Sequence, residues 1–528
     1  MSKGFSKLKV SMNSTGIIVF SFVIFVLFYS CSQKSPTSKE DFEILEGLGK
    51  QSLELSGKEL SDMYCGACHL NPPPLLLNKA TWKTSVLPDM RRRMGLITED
   101  DFGVAIGEDI DAPPGIYATK AYITQKDWNL IEAYYLDRAP EILPSIRNDP
   151  DLEIDRDLFE ISVPQTSNKR PNLTTLLKWH KEEGELYLGD RANRLFRFSG
   201  SDLKVIDSIK ISSPPSDIRF REQGGFDLLT MGVMDPSNYS IGKYSSYDSF
   251  SQESYIVKKD SLTRPVHFTF ADLNQDGQED VIISNFGNHV GNLSWLRNSS
   301  LGYQSQLINN RPGARKSIIY DINKDGLPDL IVLMTQAREG VYVYINLGNG
   351  SFKEENWLSF HPVFGSSDFD FIDMDGDGHR DIVLVNGDNA DISPILKPYH
   401  GLRIFLNDGD HNFRESYFYP MHGATALLVE DFDQNGKNDI AVISYFPDPK
   451  NEPLQNFLFF RQIDKMKFKT FSFPELGKWS YLTMEKGDIN GDGKTDIVLG
   501  AFDFKTLYSK TPDNWVPFVL LENKISLK

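Results

Sequence analysis

The sequence predicts two units of different class: a small all-α domain near the N-terminus, and an all-β propeller of seven blades with metal-binding turns. Three observations carry this. A Cys-x-x-Cys-His pentapeptide lies within a helical pattern over residues 57–140. An acidic nonapeptide recurs five times over 272–496, each copy followed by an apolar strand. At 528 residues the chain is also too long for one core.

Composition bounds the function. Hydrophobic content of 40% and charged content of 24% are those of an ordinary globular chain, and 12% aromatics with 39 glycines suit many strands and tight turns. The net charge of -17 argues against nucleic acid as a partner, because a phosphate-tracking surface needs excess Lys and Arg.

Lys3, Lys7 and Lys9 precede an apolar stretch from Gly16 to Tyr29, and Ser30-Cys31-Ser32 follows. The stretch is short for a membrane span and suits a signal-peptide core. It resembles a lipoprotein signal over residues 1–31, which implies lipidation of Cys31. Phe28 departs from that pattern, which wants Leu there, and Leu27 stands one residue earlier. An uncleaved anchor and an ordinary signal peptide are the alternatives. Residues 32–56 would form a polar tether. The resemblance implies an exported protein, periplasmic or attached to the outer membrane, with the lipid as its membrane contact.

Only three cysteines occur, Cys31, Cys65 and Cys68. One lipidated residue and two haem thioethers would use them all, leaving no disulfide. Cys65-Gly66-Ala67-Cys68-His69 is the attachment pattern of c-type haem: both thiols reach the porphyrin vinyls and the histidine reaches the iron. A zinc half-site would need a second soft-ligand pair, and a redox dithiol a βαβ context; neither is seen. A short helix, SGKELSDMY, enters the motif, and Asn71-Pro72-Pro73-Pro74 breaks the chain after it. Over 125–136, Trp128, Ile131, Ala133, Tyr134 and Tyr135 gather around a helical face. Residues 57–140 thus resemble small monohaem cytochrome c domains. The resemblance implies a thioether as the second iron ligand. Met90 is preferred on its spacing after Leu87-Pro88, Met94 is the alternative, and Met63 lies too near the attachment site. Arg91–Arg93 reads as a solvated face, a haem-propionate partner or a docking patch.

Residues 141–170 are rich in proline and charge and read as a linker. From 171 to 528 a repeat takes over. DLNQDGQED, DINKDGLPD, DMDGDGHRD, DFDQNGKND and DINGDGKTD start at 272, 321, 373, 431 and 488, spacings of 49 to 58 residues. That suits a four-stranded propeller blade. NLGNGSF and NDGDHNF lie downstream as later hairpin turns. Residues 214–262 hold a degenerate copy with Arg219, Arg221 and Gln223 at the first ligand positions, and 172–212 a further strand pattern, so seven blades are expected.

Oxygens at positions 1, 3 and 5 with glycine at 6 follow the logic of hard-cation loops. The loops resemble integrin-type FG-GAP and VCBS repeats, which implies calcium. The implied ligands are Asp272, Asn274, Asp276, Gln278 and Asp280; Asp321, Asn323, Asp325 and Asp329; Asp373, Asp375, Asp377 and Asp381; Asp431, Asp433, Asn435 and Asp439; and Asp488, Asn490, Asp492 and Asp496. Metal-free Asx turns are the plain alternative. About five Ca²⁺ would relieve repulsion among these carboxylates and take the place of disulfides.

Propellers usually bind ligands at the channel mouth. The polar residues expected there are Arg264, His267, Arg315, Lys316, Asp368, Asp388, Asp391, Lys397, Tyr399, His400 and His422, several of them on a long insertion over 387–401. A wet channel filled with polar groups, a site for a small polar ligand and a catalytic site are all open. His267, His400 and His422 could also ligate a transition metal, whereas His289, His361 and His411 read as ordinary loop residues. No G-x-S-x-G, H-E-x-x-H or dinucleotide fingerprint occurs.

Taken whole, the chain resembles bacterial proteins that join a cytochrome c domain to FG-GAP/VCBS repeats. That implies an exported haem electron-transfer protein whose propeller docks a redox partner protein, a quinone-linked chain or a ligand. A dehydrogenase acting on a small polar substrate, and a glycan- or surface-binding module, are the alternatives.

Overall fold

The computed structural model describes residues 51–97, 112–145, 151–155, 157–166, 169–251, 253, 255–389, 393–503 and 514–525. The signal segment, Cys31, most of the tether and Asp391 lie outside them. No helix among the described residues is long and apolar enough to cross a membrane.

Helices fill the N-terminal unit. The first, Gly57–Tyr64, begins at a capping box: Ser56 accepts from the Glu59 amide while Glu59 accepts from the Ser56 amide. It packs on the last, Gln125–Arg138, which Thr124 caps. Gly57 makes that approach possible, since a Cβ there would stand 2.1 Å from the Leu130 carbonyl oxygen. Between them Asn78 caps Lys79–Thr81, which runs through a π-turn, Trp82–Val86, into Leu87–Arg93. Pro88 accounts for the π-turn: it has no amide hydrogen to continue the ladder and its ring crowds the carbonyl four residues back. Leu60, Leu77, Trp82, Trp128, Ile131 and Tyr135 form the core. Trp82 Nε1 donates to the Pro74 carbonyl at 2.8 Å and Tyr135 Oη to Asn71 Oδ1 at 2.7 Å, which fixes the loop after the pentapeptide.

The rest is seven sheets around a channel. Blade 1 begins with strand Thr174–His180, blade 2 with Pro215–Phe220, blade 3 with Pro265–Ala271, blade 4 with Ala314–Tyr320, blade 5 with Ser366–Ile372, blade 6 with Ala424–Glu430 and blade 7 with Tyr481–Gly487. A register shift follows the first residue of every one of these strands, between Thr174 and Leu176 in blade 1 and between Pro265 and His267 in blade 3, for example. Seven identical bulges identify seven equivalent blades, including the two without acidic loops. The second strands, such as Asp329–Met334 and Asp381–Asn386, are buried throughout. They read as continuous apolar runs because neighbouring blades cover both faces.

The stretch expected as a linker is partly built into the ring. Phe159–Ser162 pairs antiparallel with Phe518–Asn523 as the outer strand of blade 7, and Glu153–Ile154 pairs in parallel with Phe471–Ser472 on blade 6. The ring is closed by chain from both of its ends, so blade 7 cannot separate from blade 1 without breaking a sheet.

In an antiparallel blade the connections alternate between the two faces. The five acidic loops join first to second strands and therefore share one face. Connections from second to third strands, and from one blade to the next, lie on the other. The helical unit sits there: Tyr117 meets the His289 ring edge-on at 6.2 Å, Arg338 Nε donates to the Cys68 carbonyl at 3.0 Å, and Tyr399 Oη donates to the Leu76 carbonyl at 3.1 Å. Val363, Ile395 and Tyr399 complete the helical core.

Candidate functional site

The acidic loops share one backbone. Position 4 (Gln275, Lys324, Gly376, Gln434, Gly491) and position 6 (Gly277, Gly326, Gly378, Gly436, Gly493) are left-handed in all five, with φ between 53° and 90°. Position 6 is always glycine, which takes that conformation without steric cost. The position-1 carboxylate accepts from the position-6 amide at 2.8–3.0 Å in every loop. Three carboxylates lie mutually within 4.8 Å in the third loop, Asp373, Asp375 and Asp377, and in the fourth, Asp431, Asp433 and Asp439.

Position 9 has a role that spacing alone did not show. Asp329 is fully buried; it accepts from the Ile322 amide at 2.9 Å and, with its other oxygen, from the Asn346 amide at 2.7 Å. Asp280, Asp381 and Asp496 repeat this, joining the acidic loop to the outer hairpin. These acids, expected as calcium ligands, are backbone staples in this structure. Burial, the largest cause, raises the position-9 carboxyls above the usual range, and neighbouring loop acids add to it; Asp381 reaches about 6 and Asp439 about 7. Asp439 Oδ2 and Asp488 Oδ1 are buried without a hydrogen-bond partner. In the fourth loop Arg461 already holds Asp433 at 2.6 Å, and in the third Lys465 reaches Asp375 at 3.2 Å.

Blade 2 shows the metal-free solution. Arg219 pairs with Glu279 at 2.6 Å and stacks 3.8 Å from the Phe270 ring centroid. Arg221 donates to the Tyr247 carbonyl at 2.7 Å. Asp227 is buried and accepts from Ser246 Oγ at 2.5 Å.

Around the pentapeptide, Cys65 is buried, Cys68 is exposed, and neither is in a disulfide. Burial, chiefly, pushes the Cys65 thiol up to about 12, opposite to the depressed thiol of a redox dithiol. His69 Nδ1 lies 3.0 Å from the Leu70 carbonyl oxygen. Met90 and Met94 both pack against the helical core, and Met63 is exposed. Buried Asp89 holds Arg92 at 3.1 Å and Arg93 at 2.9 Å. A cleft of about 280 Å³ runs between residues 66–70 and Arg338, Glu339, Tyr342, Ser359 and Phe360 of the propeller.

The residues expected at the channel mouth do not gather in one place. His267, Lys316 and Asp368 lie on inner strands beside Asp217, with Lys316 bonded to Asp368 at 2.8 Å. Asp217 is pushed up to about 6 by burial and His267 down to about 3 by burial beside Lys316 and Lys178. Arg264 donates to the Gly287 and Met234 carbonyls at 2.5 and 2.9 Å, and Arg315 to that of Ser367. Lys397 and His400 of the insertion and His422 at the entry to blade 6 are buried, with Lys397 bonded to Asn389 and to the Ser393 carbonyl. His400 and His422 lie beside one another, whereas His267 faces Asp217, Lys316 and Lys178 on the inner strands. Asp388 acts instead on Tyr445, together with Arg191, Asp503 and Asp235, from five different blades.

Sequence reasoning missed Asp217, Lys178 and Glu485 in the channel; Asp217 stands two residues after Pro215 as His267 does after Pro265, so aligning the blades would have found it. It also took His361 for an ordinary loop residue, and His361 lies beside His69.

An FG-GAP-like repeat model matches residues 272–332 and 321–384. Integrin alpha-4 of Xenopus laevis is 29% identical over 142 residues, 24% of this chain and 14% of the integrin. Among solved structures, the Neurospora crassa Pan2 WD40 domain aligns with 11% identity and a TM-score of 0.43, over 70% of this chain and 97% of that one. BBS1N in complex with ARL6DN aligns with 8% identity and a TM-score of 0.42, again over 70% and 97%. The chain carries FG-GAP-like repeats within a seven-bladed β-propeller.

Proposed function

We propose that this is an exported electron-transfer protein in which the helical unit carries one covalent haem c and the propeller, stabilised by calcium, presents it to a redox partner. The observation that carries the reading is the pentapeptide. Both thiols are unpaired, and His69 Nδ1 rests on the Leu70 carbonyl, which leaves Nε2 for iron. Cys65 and Cys68 would hold the macrocycle, and His69 and Met90 would ligate its iron, with Met94 as the alternative to Met90. A bound haem c supplies a one-electron couple. The chain's part is to hold His69 in one tautomer, exclude water through Leu60, Trp82 and Trp128, and orient the attachment loop.

Calcium would take the loop carboxylates and side-chain amides of blades 3 to 7. The buried oxygens of Asp439 and Asp488 without partners, and the raised position-9 acids, support a cation in those loops. The signal-like N-terminus supports export and a lipid anchor at Cys31.

The test is expression with a c-type haem maturation system. Covalent haem that survives denaturation in the wild type, and is lost in Cys65→Ala/Cys68→Ala, supports the reading. A wild-type chain that matures without haem overturns it. The dehydrogenase alternative is separated by adding sugars, alcohols or aldehydes to the oxidised protein, since reduction by one of them alone would make it an enzyme.

A further inference from the structure

The contact between the two units falls on the pentapeptide itself. Arg338, in the connection between the second and third strands of blade 4, donates from Nε to the carbonyl of Cys68 at 3.0 Å. That carbonyl immediately precedes the histidine expected to ligate iron. One residue further on, the Leu70 carbonyl takes His69 Nδ1 at 3.0 Å. The same carbonyl acts on the imidazole of His361, whose Nδ1 is buried without a partner. The cleft between the units has Cys68 and His69 on one wall and Arg338, Tyr342 and Phe360 on the other. Tyr399 and Val363 secure the contact from the adjoining blade. The loop that would bear the haem is therefore held by the Arg338 hydrogen bond, with His361 beside it, both from a different part of the fold.

We propose that blade 4 is a wall of the haem site: Arg338 and His361 act as positioning residues on the attachment loop and set the reduction potential of the bound group. The inference rests on the haem reading above. Two effects act in the same direction. A fixed guanidinium beside the loop disfavours the oxidised group, which carries one more positive charge than the reduced one. The His361 imidazole beside the Leu70 carbonyl competes with His69 Nδ1 for that oxygen and weakens its pull on the Nδ1 hydrogen. His69 then remains a poorer electron donor to iron, which also favours the reduced state. The partner that sets the potential is thus a resident part of the chain, and an external partner meets the haem already tuned.

The experiment is redox titration, followed by absorbance, of the full-length protein with its covalent haem, together with thermal melts of each variant. Arg338→Ala is expected to make the haem about tenfold harder to reduce, a shift of about 59 mV to more negative potential for a one-electron couple. Arg338→Lys, which keeps the charge, is expected to recover at least half of that shift, and Arg338→Gln little of it. His361→Phe, which keeps the ring's bulk, is expected to shift the potential in the same direction with an unchanged melt. It serves as the second variant if Arg338→Ala fails to fold. Variants with native melts whose reduction equilibrium stays within twofold of the wild type, a shift under about 18 mV, would overturn the proposal while leaving the haem assignment intact. A wild type without covalent haem would instead overturn the reading on which the proposal depends.

Discussion

Blades 2 and 4 share one architecture and solve one problem differently. Both have the bulge after the first residue of the inner strand and a buried aspartate at the start of the second strand. In blade 4 the turn between them is lined by Asp321, Asn323 and Asp325, whose like charges need a counter-charge from outside. In blade 2 the counter-charge belongs to the chain: Arg219 and Arg221 occupy the turn and find Glu279, Phe270 and the Tyr247 carbonyl. With calcium in the loops, as proposed, blade 4 is expected to respond to cations in the medium and blade 2 to be indifferent to them.

The strongest way to test that contrast is to remove the cation. Each site that binds only the folded state contributes about 2.7 kcal/mol at a hundredfold excess over its Kd. With excess chelator, the calorimetric melting midpoint is expected to fall by about 10 °C or more. A midpoint unmoved by chelator would place blades 3 to 7 in the same class as blade 2.

Next comes the position-9 staple. Asp329→Ala leaves the Ile322 and Asn346 amides without acceptors in a buried place, at a cost of about 2–5 kcal/mol by denaturant titration. The loss should persist in chelator, because these are backbone bonds. Asp325→Ala, at an exposed ligand position, should lower stability in calcium and have little effect without it.

The pH dependence follows from the raised carboxyls. A group whose folded-state pKa lies above its unfolded value contributes stability that is present at low pH and lost as pH rises through the folded value. With Asp381 at about 6 and Asp439 at about 7, melts in chelator should worsen from pH 5 to pH 8. Calcium should flatten the slope, since it competes with protons for the same oxygens. A slope that is the same with and without calcium would separate these acids from the cation.

The smallest effect is expected in blade 2. Arg219→Ala removes a partly exposed ion pair and a stacking contact, costing about 1 kcal/mol at any calcium concentration.

Much of this was legible before the fold was known, because it is local. Gly at position 6 and oxygens at 1, 3 and 5 constrain only nine residues, and the strand after each loop follows from an unbroken apolar run. The closing strand Phe159–Ser162 was not legible: four residues among prolines and charges carry no periodicity, and their partner, Phe518–Asn523, lies about 360 residues away. Position 9 was readable as an acid near a metal loop, but its acceptor role depends on an amide from the outer hairpin.

Sequence by itself determined the seven-bladed repeat, the five acidic turns and the two blades without them, and the Cys-x-x-Cys-His loop, since each is a pattern within one turn or one strand. Tertiary structure alone decided which face each loop occupies, that the 387–401 insertion seats the helical unit through Tyr399, and that Arg338 reaches Cys68 across 270 positions of chain. The reason is physical. Alternating hydrophobicity and turn chemistry act over a few residues, whereas a hydrogen bond between distant segments exists only once the ring has closed and brought its two ends onto the same sheet.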